Sequence, residues 1–510
     1  MLVSLLSRIA AGLVTYSIIR GVYLLWLHPL ARYPGPRLAA VSNIWYSFYW
    51  LSGRYPWALE RQFHVYAGDV VRIAPNELAF RSPQAYRDIY GRTQNRLETF
   101  TKTDIQDYSE FTGFPDLGVA AVRSPEKHAR VARALQPAFG SRVLQSCHGV
   151  LHQVIDEFVV QLQQRAEVNI TEVFVPRTRC EAHATDHTLT FLGLNAGRPS
   201  PYLIASRKLS YVVTILVVLK RFPLLKFPLF ICLVPWVLAS GISTVGRTVH
   251  EQVRARLARR GNSPSLRHPD LLQSIIPPSE IKSLKNKSEP HTDDWTIAQA
   301  SSLMAGALTP TTNMIISTVM FLCASPEKME RLKQEVRSAF NTYADITAES
   351  LQSSCHYLNA AIEEDLRLLT PAPFGLPRFS PGTYVDGHFV PDGVTVQTCN
   401  FAAAHCPEHF FLPREFHPER YLDTSHMWYD ARFSKDDKNS VSPFSVGPRR
   451  CPGSGIAYLE MRLVLAKLIW ALDIEFSPRN TARDWDTDVS MFSSYRFPSV
   501  WIQCKRAACA

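Results

Sequence analysis

The stretch PFSVGPRRCPGSGIAYLE, residues 443–460, decides how the whole chain is read. Cys451 stands between Arg449 and Gly453, and an apolar helical pattern follows at once. Pro452 suits the first turn of a helix, where a missing N–H costs nothing. The spacing therefore sets the thiol at a helix N-terminus, where the positive dipole end and free amides lower a thiol pKa. Gly447 and Gly453 let the backbone turn tightly and bring N–H groups near the sulfur. Phe444 can screen the site from water, and Arg449 can bind a carboxylate. A thiolate that ligates a metal cofactor bearing acidic groups accounts for all of these residues together. A buried cysteine at a helix start accounts for Cys451 alone.

Composition narrows the class. The 510 residues, 46% hydrophobic and 20% charged, are ordinary for a globular protein. A net charge of +10 points to an anionic membrane face, an acidic protein or nucleic acid. With no long Lys/Arg run and no zinc-finger, RRM or basic-zipper pattern, no nucleic-acid partner is expected. Ten cysteines without a CxxC pair argue against structural zinc and for buried, reduced thiols.

The first 27 residues, MLVSLLSRIAAGLVTYSIIRGVYLLWL, carry no charge but Arg8 and Arg20. About 20 such residues span a bilayer, and no small-residue cleavage site follows, so a retained anchor is expected. A buried core helix is the alternative. Arg32 and Arg37 beyond the span favour a cytoplasmic body. The chain divides into an anchor (1–28), a proline-rich linker containing YPGP (29–40) and a catalytic domain (41–510).

Helical periodicity dominates from about residue 55 to 370. DVVRIAPNELAF (69–80) reads as a strand, and TYVDGHFVPDGVTVQT (383–398) as a hairpin around Pro391-Asp392-Gly393. The tail after 472 is β-rich, making the fold mainly α with α+β character. Residues 261–295 read as a surface connection. The apolar, proline-broken segment 212–241 reads as amphipathic helices around a membrane-dipping loop, or else as core helix.

The pattern FxxGxRxCxG, met by Phe444, Gly447, Arg449, Cys451 and Gly453 and continued by Ala457 and Glu460, resembles the haem-binding signature of the cytochrome P-450 superfamily. The resemblance implies the family fold with its long central distal helix, and haem b (iron protoporphyrin IX) with Cys451 as iron ligand. It also implies a Glu–Arg–Arg triad of Glu364, Arg367 and Arg420 bracing the cysteine loop. PFGLPRF resembles the family's pocket-lining segment, which implies Arg378 on a haem propionate. EKHARVARALQPAFG resembles the helix crossing the other propionate side, with His128 in its aromatic position. Ala132 stands where the family has arginine, so Arg133 is the nearest candidate contact.

SSLMAGALTPTTNMIISTVMFL (301–322) resembles the distal helix, written AGx(D/E)T(T/S). Ala305, Gly306 and Thr309 match; the resemblance implies that Gly306 gives room above the iron and that Thr309 is the catalytic hydroxyl. Leu308 replaces the acid, and Pro310 favours a kink. By family position FTKTDIQDYSEFTGF (100–114), PAPFGL (371–376) and SMFSSYRF (490–497) form pocket walls, with Ala305, Leu308, Phe374, Met491 and Phe492 as substrate contacts.

The chain is similar to fungal secondary-metabolism members such as the isotrichodermin hydroxylases. That similarity implies a monooxygenase oxidising a small lipophilic terpenoid, polyketide or alkaloid with O2. Electrons would come from NADPH through the NADPH–cytochrome P-450 reductase, with cytochrome b5 as a further donor. The implied location is the endoplasmic reticulum membrane, single-pass, with a cytoplasmic catalytic domain. Two other readings stand beside it: a rearranging or dehydrating enzyme without oxygen insertion, and a haem-binding sensor.

Overall fold

A computed structural model describes residues 2–105, 107, 118–173, 201–224, 228, 230–233, 251, 254, 293–482 and 484–507. Helix α1 (Leu2–Val22) runs into a π-turn over Tyr23–Leu27. Val3–Leu27 is the one segment among the described residues long and apolar enough to cross a membrane. Val3, Leu6, Leu13 and Ile19 are all exposed, so α1 is not a core helix.

The stretch expected to be a linker is packed onto the body. Leu30 and Tyr33 are buried in the apolar cluster under the main sheet. Tyr33 Oη donates to the Phe389 carbonyl (2.9 Å), and the Arg72 amide donates to the Pro34 carbonyl (2.7 Å). A Cβ on Gly35 would stand 2.2 Å from the Arg72 carbonyl oxygen, so this close approach requires glycine. The buried Arg72 guanidinium donates to the Leu24 carbonyl (2.7 Å), inside the π-turn that follows α1, and to the Pro75 carbonyl (2.7 Å).

DVVRIAPNELAF is two strands rather than one. β1 (Val70–Ala74) and β2 (Glu77–Phe80) pair antiparallel across Pro75-Asn76. Proline lacks the amide a ladder needs, and asparagine suits a turn. Short strands follow: β3 (Thr93–Gln94), β4 (Leu97–Glu98), β5 (Thr101–Lys102) and β6 (Glu167–Asn169). β7 (Arg378–Val385) and β8 (His388–Thr398) form the long hairpin. Its turn is Asp386-Gly387, at φ +47° and +75°, and Pro391-Asp392-Gly393 lies within β8. The left-handed Asp-Gly pair matches the twist of the flanking strands, which is why it wins the turn. The main sheet runs β1-β2-β8-β7-β5. The tail is β-rich as expected, with β9 (Leu472–Phe476), β10 (Ser490–Met491), β11 (Tyr495–Arg496) and β12 (Trp501–Arg506).

Helices make most of the body. Those around the site are α2 (Pro125–Leu135), α3 (Pro201–Lys220), α4 (Asp293–Ala324), α5 (His356–Leu368) and α6 (Ser454–Ala471). The middle of α4 is buried on every side from Thr311 to Leu322, so it shows no amphipathic stripe. Met314, Ile315 and Val319 join Leu358, Leu463 and Val464 in one core, each such side chain contributing about 1.5–3 kcal/mol. Two buried hydroxyls of α4 share one partner: Ser317 and Thr318 donate to Asp365 of α5 at 2.8 and 2.6 Å. Burial holds that carboxyl well above the ordinary range.

Segment 212–241 is described as far as Leu224 without a break, and Arg221 there turns inward. Arg221 pairs with Glu77 and lies 3.9 Å over the Tyr46 ring. Residues 234–241 and 255–292, covering most of the expected surface connection, lie outside the described residues.

Candidate active site

The loop before α6 reverses through Ser445 (φ +62°) and Gly447 (φ +72°). A Cβ on Gly447 would stand 2.1 Å from the Tyr90 carbonyl oxygen, so only glycine lets the loop lie this close. The Cys451 amide donates to the Phe444 carbonyl (2.8 Å) and closes the loop. Helix α6 begins at Ser454 with Gly453 as N-cap, so Pro452 precedes the helix instead of opening its first turn. The half-buried Phe444 ring packs 5.1 Å from Tyr458.

Cys451 is exposed by surface area, yet the protein packed around its sulfur pushes the thiol above its ordinary value. The Gly453 amide and Arg450 pull the other way, as a helix N-terminus should, but desolvation outweighs them. The expectation of a lowered thiol pKa is corrected on that ground.

Arg449 is held on three sides. Its Nε donates to Glu98 (2.6 Å), and its remaining nitrogens reach Glu98 and the carbonyls of Val122 and Arg123. Arg378 and Lys102 are directly opposed in the β5–β7 ladder, and both are buried. Arg378 Nη1 makes a long 3.4 Å contact to the Phe100 carbonyl, while its Nε is buried with no hydrogen-bond partner among the described residues. Burial pushes Lys102 down to about 7 and Arg378 to about 10, with Arg449 adding to both shifts. His128, buried on α2, is pushed down to about 4 by burial and then by Arg449.

Lys102, Arg378 and Arg449 gather beside Glu98, and the Arg378 Nε is buried without a hydrogen-bond partner among the described residues. These residues fit a ligand bearing carboxylates. Arg133 does not belong with them: it is exposed and folds back on its own helix, Nε to the Ala129 carbonyl at 3.2 Å. Sequence reasoning missed Glu98 and Lys102. Their signal is the alternation in LETFTK, where Glu98, Phe100 and Lys102 are buried and the intervening residues are not.

The Glu364, Arg367, Arg420 constellation assembles without solvent. Glu364 accepts from Arg367 at 2.7 and 2.8 Å, from Arg420 at 3.2 and 3.3 Å, and from the His417 amide at 2.9 Å. Arg367 also donates to the carbonyls of Ala404, Pro413 and Glu415. Asp436, unremarked in the sequence, pairs with Arg420 and is the fourth member. The bonds fasten α5 to residues 404–436, the segment that leads into the cysteine loop.

On α4, Gly306 is exposed, and a Cβ there would meet nothing within 4 Å. Thr309 is half-buried, and the helix runs continuously across Pro310. The side chains of Ala305 and Leu308 lie outside those described, as do Gln106 and residues 108–114 of the expected pocket wall. Phe374 packs against Trp50 (5.0 Å) and Tyr55 (5.4 Å), and Met491 belongs to the main core. Phe492 meets Tyr211 of α3 at 5.3 Å.

A thiol presented by a tight glycine turn, two residues after an arginine in a cluster of cations, is the arrangement a haem-thiolate protein requires. Residues 43–496 match the model of the cytochrome P-450 family. Among similar proteins, the cytochrome P-450 monooxygenase poxC of Penicillium oxalicum is 34% identical over 483 residues, covering 95% of this chain and 91% of that one. The monooxygenase TwmD of Talaromyces wortmannii is also 34% identical, with 92% and 90% covered. The monooxygenase BOA3 of Botryotinia fuckeliana is 32% identical, with 95% and 93% covered. The chain belongs to the cytochrome P-450 family: it is an oxidoreductase of the monooxygenase type and a haem protein.

Proposed function

We propose that Cys451 ligates the haem iron of a membrane-anchored monooxygenase that hydroxylates or otherwise oxidises a lipophilic secondary metabolite, a terpenoid, polyketide or alkaloid. The observation that carries it is the position of Arg449, two residues before Cys451, beside Glu98, Lys102 and Arg378, whose Nε is buried with no hydrogen-bond partner among the described residues. Haem, when bound, supplies the iron at which O2 is activated with electrons passed from NADPH by the reductase.

The chain's own residues divide the remaining work. The Gly453 amide and Arg450 stabilise negative charge on the Cys451 sulfur, so a metal ion can take the place of the thiol proton. Arg378, Arg449 and Lys102 bind the cofactor's carboxylates, and His128, neutral near pH 7, offers a hydrogen bond rather than a charge. Thr309 holds a proton at Oγ1. Pro310 has no N–H, which leaves the Gly306 carbonyl without that helical donor and able to hold a water beside Thr309. Buried apolar walls exclude bulk water and favour a lipophilic substrate.

Exposed Lys127, Arg130, Arg133 and Arg450 suit the acidic surface of a reductase or of cytochrome b5. The exposed apolar helix α1 supports an anchor in the endoplasmic reticulum, single-pass, with residues 41–510 as a cytoplasmic catalytic domain. Leu308 in place of the distal acid favours one second reading, rearrangement or dehydration without oxygen insertion.

Two measurements test this. Cys451→Ala should bind no haem with the thiolate-type reduced-CO spectrum; a normal spectrum in that variant sinks the ligand assignment. A strain lacking the gene should accumulate a compound lighter by one oxygen, or one oxidation level, than the lost product. Equal masses, or a difference of water, would support the rearrangement reading instead.

A further inference from the structure

Glu363 has no part in the sequence reading, although its neighbour Glu364 holds the buried triad. Consecutive residues of a helix point roughly 100° apart, so the two carboxyl groups leave α5 in different directions. Glu364 turns to Arg420 and to the His417 amide, in the segment 404–436. Glu363 turns to α6, where it accepts from the Tyr458 hydroxyl at 2.8 Å.

The Tyr458 ring is held on two further sides. The Arg462 guanidinium lies 5.1 Å over it, itself fixed by an Nε donation to Asn359 of α5 at 2.6 Å. The Phe444 ring packs 5.1 Å from it, with 46° between the planes. Phe444 is also the residue whose carbonyl takes the Cys451 amide. A path of contacts thus runs from Glu363 through Tyr458 and Phe444 to the backbone of Cys451. We propose that Glu363 and Tyr458 are positioning residues for the iron ligand: the Tyr458 hydroxyl, bonded to Glu363, fixes the ring on which Phe444 rests, and Phe444 fixes Cys451. The inference rests on Cys451 as the haem ligand.

Helix α5 then grips the cysteine loop from both ends. Glu364 works through the segment that leads into the loop, and Glu363 through the helix that follows it. Without the Tyr458 ring, Phe444 loses its support and the loop opens to water. A water hydrogen bond on a ligand sulfur draws charge off the iron, which raises its reduction potential.

The test uses the haem-loaded, full-length protein in detergent. Tyr458→Phe keeps the ring and removes the hydroxyl. It should speed loss of the thiolate-type reduced-CO spectrum about tenfold, the effect of one hydrogen bond. Tyr458→Leu removes the ring as well and should lose the spectrum faster still, with a raised ferric/ferrous midpoint potential. Glu363→Leu should match Tyr458→Phe. Glu363→Gln keeps an oxygen for the Tyr458 hydroxyl and should behave as the parent. Its amide can find water in the open cleft of about 310 Å³ that Glu363 lines with His356, Asn359 and His426. The double variant Glu363→Leu/Tyr458→Phe should be no worse than either single change, because both cut the same bond.

Parent-like spectra and potential in both Tyr458→Phe and Tyr458→Leu would overturn the proposal. An unmoved potential in Tyr458→Leu, with faster spectral loss, would overturn it too and make Tyr458 a packing residue. So would a double variant whose rate is the product of the two single effects, since Glu363 would then act elsewhere than through Tyr458. That comparison decides the matter even if Tyr458→Leu fails to fold. Failure of the underlying haem reading shows separately, in a parent protein that itself lacks the thiolate-type spectrum.

Discussion

Replacing Glu364 by glutamine tests the buried triad at constant volume, so no cavity forms and the effect is one of charge. In the protein the carboxylate is fully buried and receives donors from Arg367, Arg420 and the His417 amide. Glutamine can accept at one oxygen, but its NH2 group faces guanidinium donors it cannot satisfy. Arg420 keeps Asp436, whereas Arg367 keeps only neutral carbonyls. Removing one partner of a buried ion pair costs about 3–5 kcal/mol. Set against a total stability of about 5–15 kcal/mol, that is a fifth or more of the margin. Denaturant unfolding of the detergent-solubilised protein, followed by far-UV circular dichroism and by haem content, measures it. The expected result is a loss near 3–5 kcal/mol with reduced haem occupancy. Unfolding within about 1 kcal/mol of the parent would show that the network is not an ion-pair brace.

Gly447→Ala should destroy the cysteine loop, since its Cβ must collide with the Tyr90 backbone at a positive φ; haem content measured by pyridine haemochrome should fall close to zero. Glu60 is pushed up to about 7 by burial, against the pull of Arg414. Its folded form therefore binds a proton more tightly than the unfolded chain, so stability falls as pH rises from about 4.5 to 7. Glu60→Gln should flatten that slope in pH-dependent melts, and an unchanged slope would refute the assignment. Deleting residues 2–22 should release the protein from membranes with its melting point nearly intact. Deleting 2–36 should destabilise it further, because Leu30 and Tyr33 go with it.

Much of this was legible in sequence where chemistry demands a residue type at fixed spacing. The tight glycine turn before Cys451 and the Glu364–Arg367 pair are of that kind, because a turn and an i,i+3 ion pair are local. What escaped notice is held by partners far along the chain. Glu98 reaches Arg449, and Arg420 reaches Asp436, through tertiary folding that no local pattern announces. Arg133 misled because sequence proximity to Ala132 says nothing about the direction of a side chain on a helix. The β7–β8 turn misled for a different reason: two turn-prone triplets compete, and strand twist chose Asp386-Gly387 over Pro391-Asp392-Gly393. Helix-end arguments gave the right sign of pull on Cys451 but omitted the larger effect of burial.

Arg72 has a mechanical consequence. A tether of loose chain would let the body swivel freely beneath its anchor. Here a guanidinium rooted in β1 grips the Leu24 carbonyl in the π-turn that follows α1, while Leu30 and Tyr33 wedge the exit against the sheet. Helix α1 is thus an axle keyed to the body, not a string, and its lean is set by β1 rather than lost in slack chain.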